Sequence, residues 1–429
     1  MSEAERIWDE TGDFLSRWGL TEIPFSESAS ETGKEQLHKV FTGREKELKE
    51  IFYLFRGRER RCILVYGWIG IGKTAFILEV LGVLQRKDPK TLTAYISLPL
   101  DMDLATAALI ALARKMPDDE WAQYQLNQMG MRPKKPPKGR KGKIGVSFVG
   151  EISYGEETVP VKLPKFPALS FEDLLKRALE KKKYDRVVIA IDDLDKQDPA
   201  QAHELLHNAQ GLLKGGAWFM LTGHPAGLTR ETLLRERGLF DLALKLEEFD
   251  QDTTYKMLAR YLNSARPKDA RYELDDPQIF HPFTPEAARA LCERSAGVPR
   301  WLNRLARYVM HKAAELKAEI IDSEVLQQGF EYADKQLRGQ PGLTAEDYIV
   351  LELVLERGLI SDATVTLEDL ERVKVKEFNE ILPILEKLVQ LDLLRRLPTE
   401  RVAEYGPTPM LLGEHGKPKQ EKPSEEERR

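Results

Sequence analysis

The chain has 429 residues, 42% of them hydrophobic and 31% charged, with a formal net charge of -5. That length exceeds one ordinary core and predicts two or three domains. The composition describes a soluble globular protein, no apolar run approaches the ~20 residues that span a bilayer, and the charge balance restricts any nucleic-acid contact to a local basic patch.

Met1-Ser2-Glu3-Ala4-Glu5 carries no secretory pattern, and Cys62 and Cys292 sit in apolar or helical contexts suited to buried thiols. The expected location is cytoplasmic, without membrane contact. Residues 1 to 40 read as an N-terminal arm, with Ile7, Trp8, Phe14, Leu15 and Trp18 at helical spacing. From 41 to 250, short β-branched runs alternate with helical patterns: Cys62 to Tyr66, Thr91 to Ile96, Val187 to Ile191, Trp218 to Thr222 and Leu242 to Leu246 are the expected strands. Such alternation predicts an α/β fold with a parallel five-stranded sheet. A basic insertion at about 128 to 165 interrupts this core, and Arg132, Lys134, Lys135, Lys138, Arg140, Lys141 and Lys143 follow one another there without an acidic residue.

Residues 251 to 338 read as helical, with one helix starting at Thr284-Pro285 and another at Pro299. From 341 to 412, three helices and an extended Leu393 to Tyr405 segment suggest a winged helix, although Pro383 stands against an unbroken third helix. Residues 413 to 429 are charged and read as a disordered tail.

Gly67 to Thr74 satisfy G-x-x-x-x-G-K-[ST] through Gly67, Gly72, Lys73 and Thr74, with Gly70 as an additional glycine. A buried strand precedes the motif and a helix follows, the context in which backbone N–H groups face phosphate oxygens. Lys73 then neutralises the β and γ oxygens of ATP, and Thr74 ligates magnesium. A carboxylate is needed at the end of a neighbouring strand. Val187 to Ile191 run into Asp192, expected to hold the magnesium water shell, and Asp193, expected to orient or deprotonate the attacking water. Thr222, ending another apolar strand, is the candidate to touch the γ-phosphate or that water. Arg300, at a helix start, is the candidate to reach the γ-phosphate from the helical domain.

These pieces resemble the AAA+ ATPases, and more narrowly the group of replication initiators, secretion-system ATPases and transposition regulators. The matching residues are Phe41-Thr42-Gly43-Arg44-Glu45-Lys46-Glu47-Leu48, the phosphate loop, Asp192-Asp193, Leu221-Thr222-Gly223-His224-Pro225 and the run from Gly297 to Leu305. The similarity covers roughly residues 18 to 337. It implies a P-loop AAA+ core with a helical lid, adenine packed near Phe41, Arg300 as the second sensor, and a homo-oligomer in which a neighbour's arginine completes the site. Arg235 and Arg237 are the candidates for that arginine. Asp192-Asp193 with Asp195 is equally similar to the STAND signalling ATPases. Many relatives carry Glu where Asp193 stands, so the shorter side chain implies slow hydrolysis.

His203-Glu204-Leu205-Leu206-His207 also satisfies H-E-x-x-H, a zinc motif when two imidazoles share a helix face. Its position between the strands bearing Asp192 and Thr222 favours packing within the ATPase core. The leading expectation is an ATP- and magnesium-dependent oligomer that assembles on DNA through Arg132 to Lys143 and recruits a protein partner. The alternative is an ATP-gated signalling or scaffold protein without DNA contact.

Overall fold

Val187, Val188, Ile189, Ala190 and Ile191 are all buried, as a strand must be when helices cover both faces of its sheet. The computed structural model describes residues 2, 5, 14–25, 34–57, 59–67, 70–100, 102–131, 164–181, 184–194, 199–223, 238–338, 343–373, 375–397 and 403–408. Two units divide the chain, Ser28–Glu247 and Met1–Glu27 with Glu248–Arg429.

The first unit is built on five strands, β1 (Cys62–Gly67), β2 (Thr91–Ser97), β3 (Arg186–Asp192), β4 (Trp218–Gly223) and β5 (Leu242–Leu246). Their order is β2-β3-β4-β1-β5, and every pairing is parallel. All five expected strands are present. The register sets Ser97 opposite Asp192, Ile191 opposite Leu221, and Val65 opposite Thr222, so the polar residues that end these strands share one edge of the sheet.

The helices are α1 (Lys34–Val40), α2 (Glu45–Phe55), α3 (Lys73–Lys87), α4 (Leu104–Arg114), α5 (Glu120–Gln128), α6 (Pro167–Glu180), α7 (Pro199–Asn208) and the short α8 (Gln210–Leu213). Leu109 and Leu112 of α4, Phe171 and Leu174 of α6, and Ile189, Ile191, Phe219 and Leu221 of the sheet belong to one buried cluster. Each such side chain contributes about 1.5–3 kcal/mol by leaving water. At the opposite edge, Arg186 lies 4.8 Å over the Trp218 ring, which stacks on Phe55 at 4.7 Å. The basic tract from 132 to 143, together with Arg235 and Arg237, lies outside the described residues.

The second unit contains α9 (Gln251–Ser264), α10 (Pro285–Arg294), α11 (Pro299–Glu315) and α12 (Ser323–Arg338). The Thr284 side chain accepts from Ala287 N and caps α10, with Pro285 in its first turn, the start that the Thr-Pro pair announces. The stretch expected as part of an arm packs within this unit: Trp18 is wholly buried and donates from Nε1 to the Ala318 carbonyl at 3.1 Å, while Phe25 meets Tyr261 edge-on.

Residues 343–408 add α13 (Ala345–Arg357), α14 (Leu367–Arg372), α15 (Phe378–Gln390) and an antiparallel pair, β6 (Leu394–Leu397) and β7 (Glu404–Pro407). Ile360 bridges Tyr405 as well. Thr344 and Thr366 each form a capping box, with Asp347 and Asp369 respectively. The third helix is present and α15 runs unbroken through Pro383, the residue that stood against it. A proline inside a helix costs about 3 kcal/mol. Burial of Phe378, Ile381, Leu385, Leu388 and Val389 along the same helix outweighs that loss at about 1.5–3 kcal/mol each.

Candidate nucleotide site

β1 carries buried Ile63, Leu64 and Val65 to Gly67. A Cβ at Gly67 would lie 2.6 Å from the Leu246 carbonyl oxygen on β5, so only glycine fits where the chain leaves the sheet. Gly70 and Gly72 have φ of 80° and 96°, which lets the loop turn before α3 begins at Lys73. The Lys73 ammonium donates to the Gly67 carbonyl at 3.0 Å, bringing the lysine back over the loop that precedes it. Trp68 and Ile69 lie outside the described residues.

The opening motif braces this loop through a residue to which the sequence assigned no role. Arg44 is buried and left-handed, with φ 63°. Its guanidinium donates to the Ile71 carbonyl at 3.3 Å and lies 3.6 Å from Glu47. Phe41 is half-buried, with its backbone N–H bonded to the Leu37 carbonyl at 2.8 Å.

α3, β2 and β4 converge on Asp192 at the end of β3, where it is 1% exposed. Thr74 donates to its Oδ2 at 2.6 Å and Tyr95 to the same oxygen at 2.9 Å. The Thr222 hydroxyl donates to Oδ1 and accepts from the Asp193 N–H at 3.0 Å. Burial pushes the Asp192 carboxyl upward and the neighbouring Asp193 charge adds to that; donation from Thr222, Thr74 and Tyr95 opposes both, and the net position stays above the usual carboxylate range. A buried acid bonded by these neutral donors suits a cation that offsets its charge.

Asp193 takes a left-handed backbone, φ 65°, in which a residue with a Cβ is disfavoured by about 1–2 kcal/mol. Its N–H bond to Thr222 and the Ser97 hydroxyl, which donates to Asp193 Oδ2 at 2.5 Å, hold it there. Thr74, Asp192, Asp193 and Thr222 therefore meet, as the sequence led one to expect, and Tyr95 and Ser97 join them unannounced. The only sequence signal for these two was their place in the alternation of β2, where Thr91, Thr93, Tyr95 and Ser97 are the polar positions.

Arg300 belongs to the second unit, in the first turn of α11. Its guanidinium lies 3.2 Å from Asp392, and that of Arg304 lies 3.7 Å from the same carboxylate. The glycine before this helix is required: Gly297 has φ 75°, and a Cβ there would fall 2.0 Å from the Phe249 carbonyl oxygen. His203 and His207 stack 6.3 Å apart on α7, and no group of three or more potential metal ligands occurs among the described residues.

Residues 40–214 match the family model described as an AAA ATPase domain. No curated protein matches the chain. Among solved structures, the ORC1 protein of Aeropyrum pernix, in complex with DNA, is similar at 15% identity and a TM-score of 0.49, over 88% of this chain and 93% of its own. The ORC2 protein of the same organism, with ADPNP and ADP, gives 13% identity and 0.47, over 86% and 90%. The Holliday junction branch migration motor RuvB of Thermotoga maritima gives 19% and 0.42, over 89% and 97%. The family match spans the phosphate loop and Asp192-Asp193, and the chain is a P-loop nucleoside triphosphatase by this domain. No helix among the described residues is long and apolar enough to cross a membrane.

Proposed function

We propose that the chain binds ATP with magnesium at the phosphate loop and hydrolyses it slowly, and that nucleotide binding drives assembly of a homo-oligomer on DNA and recruitment of a protein partner. The observation that carries the nucleotide part is the Thr74 hydroxyl, one residue past the loop lysine, aimed at the buried Asp192 carboxylate at 2.6 Å. That donor set fits magnesium, which when bound supplies charge for the phosphate oxygens. Thr74 offers it a hydroxyl oxygen while keeping its proton on Asp192, and Asp192 holds its water shell. Lys73 exchanges the Gly67 carbonyl for β and γ oxygens, within the reach of the Gly70 and Gly72 backbone. Asp193 takes the proton of the attacking water, and Thr222 keeps the two aspartates in fixed relation. Phe41 packs against adenine, and Arg300 senses the γ-phosphate. Asp193 is one methylene shorter than glutamate, which makes proton abstraction inefficient and supports a switch in preference to a motor.

The C-terminal region supports a winged helix, because Ile360 pairs with Tyr405 beside the β6/β7 hairpin after three helices. Two of its cations are already paired internally. Lys387 of the candidate recognition helix donates to Asp347 at 2.6 Å, and Arg396 of the wing to Glu386 at 3.2 Å. The DNA reading therefore rests on Arg132 to Lys143, where clustered positive charge lacks acidic neighbours. Arg235 and Arg237 remain candidates for the arginine given to a neighbouring copy. The test is duplex DNA binding at low and moderate salt, with and without ATP, by the parent and by a variant neutralised at Lys134, Lys135, Arg140 and Lys141. Binding that needs ATP and these four residues is expected. No binding at low salt in either state sinks the DNA reading and favours the signalling scaffold.

A further inference from the structure

Tyr95 lies on β2, the edge strand beside β3, and approaches Asp192 from the side away from the phosphate loop's own strand. Its hydroxyl and that of Thr74 share Oδ2, at 2.9 and 2.6 Å. Oδ1 accepts from Thr222 and from the Asp193 N–H. Each carboxylate oxygen thus has two donors, which fixes a terminal torsion that is otherwise broad and roughly two-fold. Their tasks differ. Thr74 must also present a lone pair to a metal, and Thr222 is committed to the Asp193 backbone. Tyr95 has neither task.

Resting on the proposed metal role of Asp192, we infer that Tyr95 is a positioning residue for the magnesium–nucleotide complex, its hydroxyl holding the Asp192 carboxylate in the rotation that faces Thr74. Without that hydroxyl, the carboxylate can turn and must be reoriented each time the metal binds. Metal-free nucleotide, held by the loop backbone and Lys73, does not call on Asp192 and should not sense the change.

The experiment titrates a fluorescent ATP analogue into the full chain over a range of magnesium concentrations. In Tyr95→Phe the metal-free affinity is expected to stay within about twofold of the parent, while the magnesium concentration for half-maximal tightening rises about tenfold, the effect of one lost hydrogen bond to a charged acceptor. At saturating magnesium kcat returns to the parent value. In an Asp192→Asn background Tyr95→Phe is expected to add nothing. An unchanged magnesium midpoint overturns the inference, as does a parallel loss of metal-free affinity, the mark of a merely structural role, or an additive effect in the double variant. Tyr95→Leu removes the hydroxyl in a side chain of different shape and provides the second variant should Tyr95→Phe not fold. Its midpoint is likewise expected to rise about tenfold, and an unchanged midpoint overturns the inference. A parent whose nucleotide affinity ignores magnesium, with Thr74→Ala behaving identically, overturns the metal role of Asp192 itself. A responsive parent with an unresponsive Tyr95→Phe effect overturns only the role of Tyr95.

Discussion

Asp193 and Lys73 illustrate how much of this site is held by single residues. Lys73 donates to the Gly67 carbonyl, a partner that phosphate oxygens would replace at little cost in the proposed role, because the new bonds would be charge-assisted on both sides. Lys73→Ala is expected to weaken ATP binding by about a hundredfold or more, read by equilibrium titration. Asp193 is held by Ser97 and Thr222 in a backbone conformation that aspartate tolerates better than most residues. Asp193→Asn keeps that geometry and removes the proton acceptor. ATP affinity should be unchanged and turnover should fall about a hundredfold to ten-thousandfold in a phosphate-release assay. Unchanged turnover would refute the assignment of Asp193 to the attacking water.

At the scale of elements, the second unit depends on how its helices begin. α11 starts after Gly297, whose carbonyl accepts from Phe249 N–H at 3.0 Å and whose missing side chain leaves room for the Phe249 backbone. Gly297→Ala combines a left-handed alanine with a backbone clash and should cost about 2–4 kcal/mol, measured by urea denaturation. α13 starts at the Thr344 capping box, where burial alone would raise the Asp347 carboxyl, but bonds from Lys387 and from the Thr344 backbone and hydroxyl outweigh it and hold the group below the usual range. A carboxyl depressed in the folded state contributes stability that is present above its unfolded pKa of about 3.9 and is lost as pH falls through the lower folded value. Asp347→Asn should therefore lose about 0.5–2 kcal/mol at neutral pH and show a flatter acid limb than the parent in thermal melts.

For the whole molecule, a net charge of -5 opposes general attraction to DNA, so any binding must be local and strongly salt-dependent. If Arg132 to Lys143 contact phosphates, neutralising four of the cations should lower the slope of log K against log salt by about 3–4 units. The measurement is fluorescence anisotropy at several salt concentrations, and a slope equal to that of the parent would remove the tract from the interface. Internal pairing of Lys387 with Asp347 and Arg396 with Glu386 predicts little contribution from these two cations to that slope.

The sequence alone determined the phosphate loop, the α/β alternation and all five strands, because each is a local matter. Glycines at Gly67, Gly70 and Gly72, an apolar run of strand length and a Thr-Pro helix start constrain the backbone within a few residues. It also singled out Asp192, Asp193 and Thr222 as candidates, since they lie at or beside the ends of apolar strands and the ends of parallel strands share an edge. Pro383 counted against the third helix only as local propensity, which takes no account of the burial along the rest of α15. Tertiary structure alone decided the partners. Tyr95 and Asp192 are 97 residues apart in the chain, and only the β2-to-β3 register brings them together. Arg44 reaches the loop carbonyl across a similar absence of sequence signal, and Trp18 leaves the N-terminal arm for a carbonyl 300 residues away. The phosphate loop is legible because its chemistry is written in one continuous stretch. The hydrogen bonds that hold the Asp192 carboxylate come from separate elements, and no periodicity or spacing encodes which elements will be neighbours.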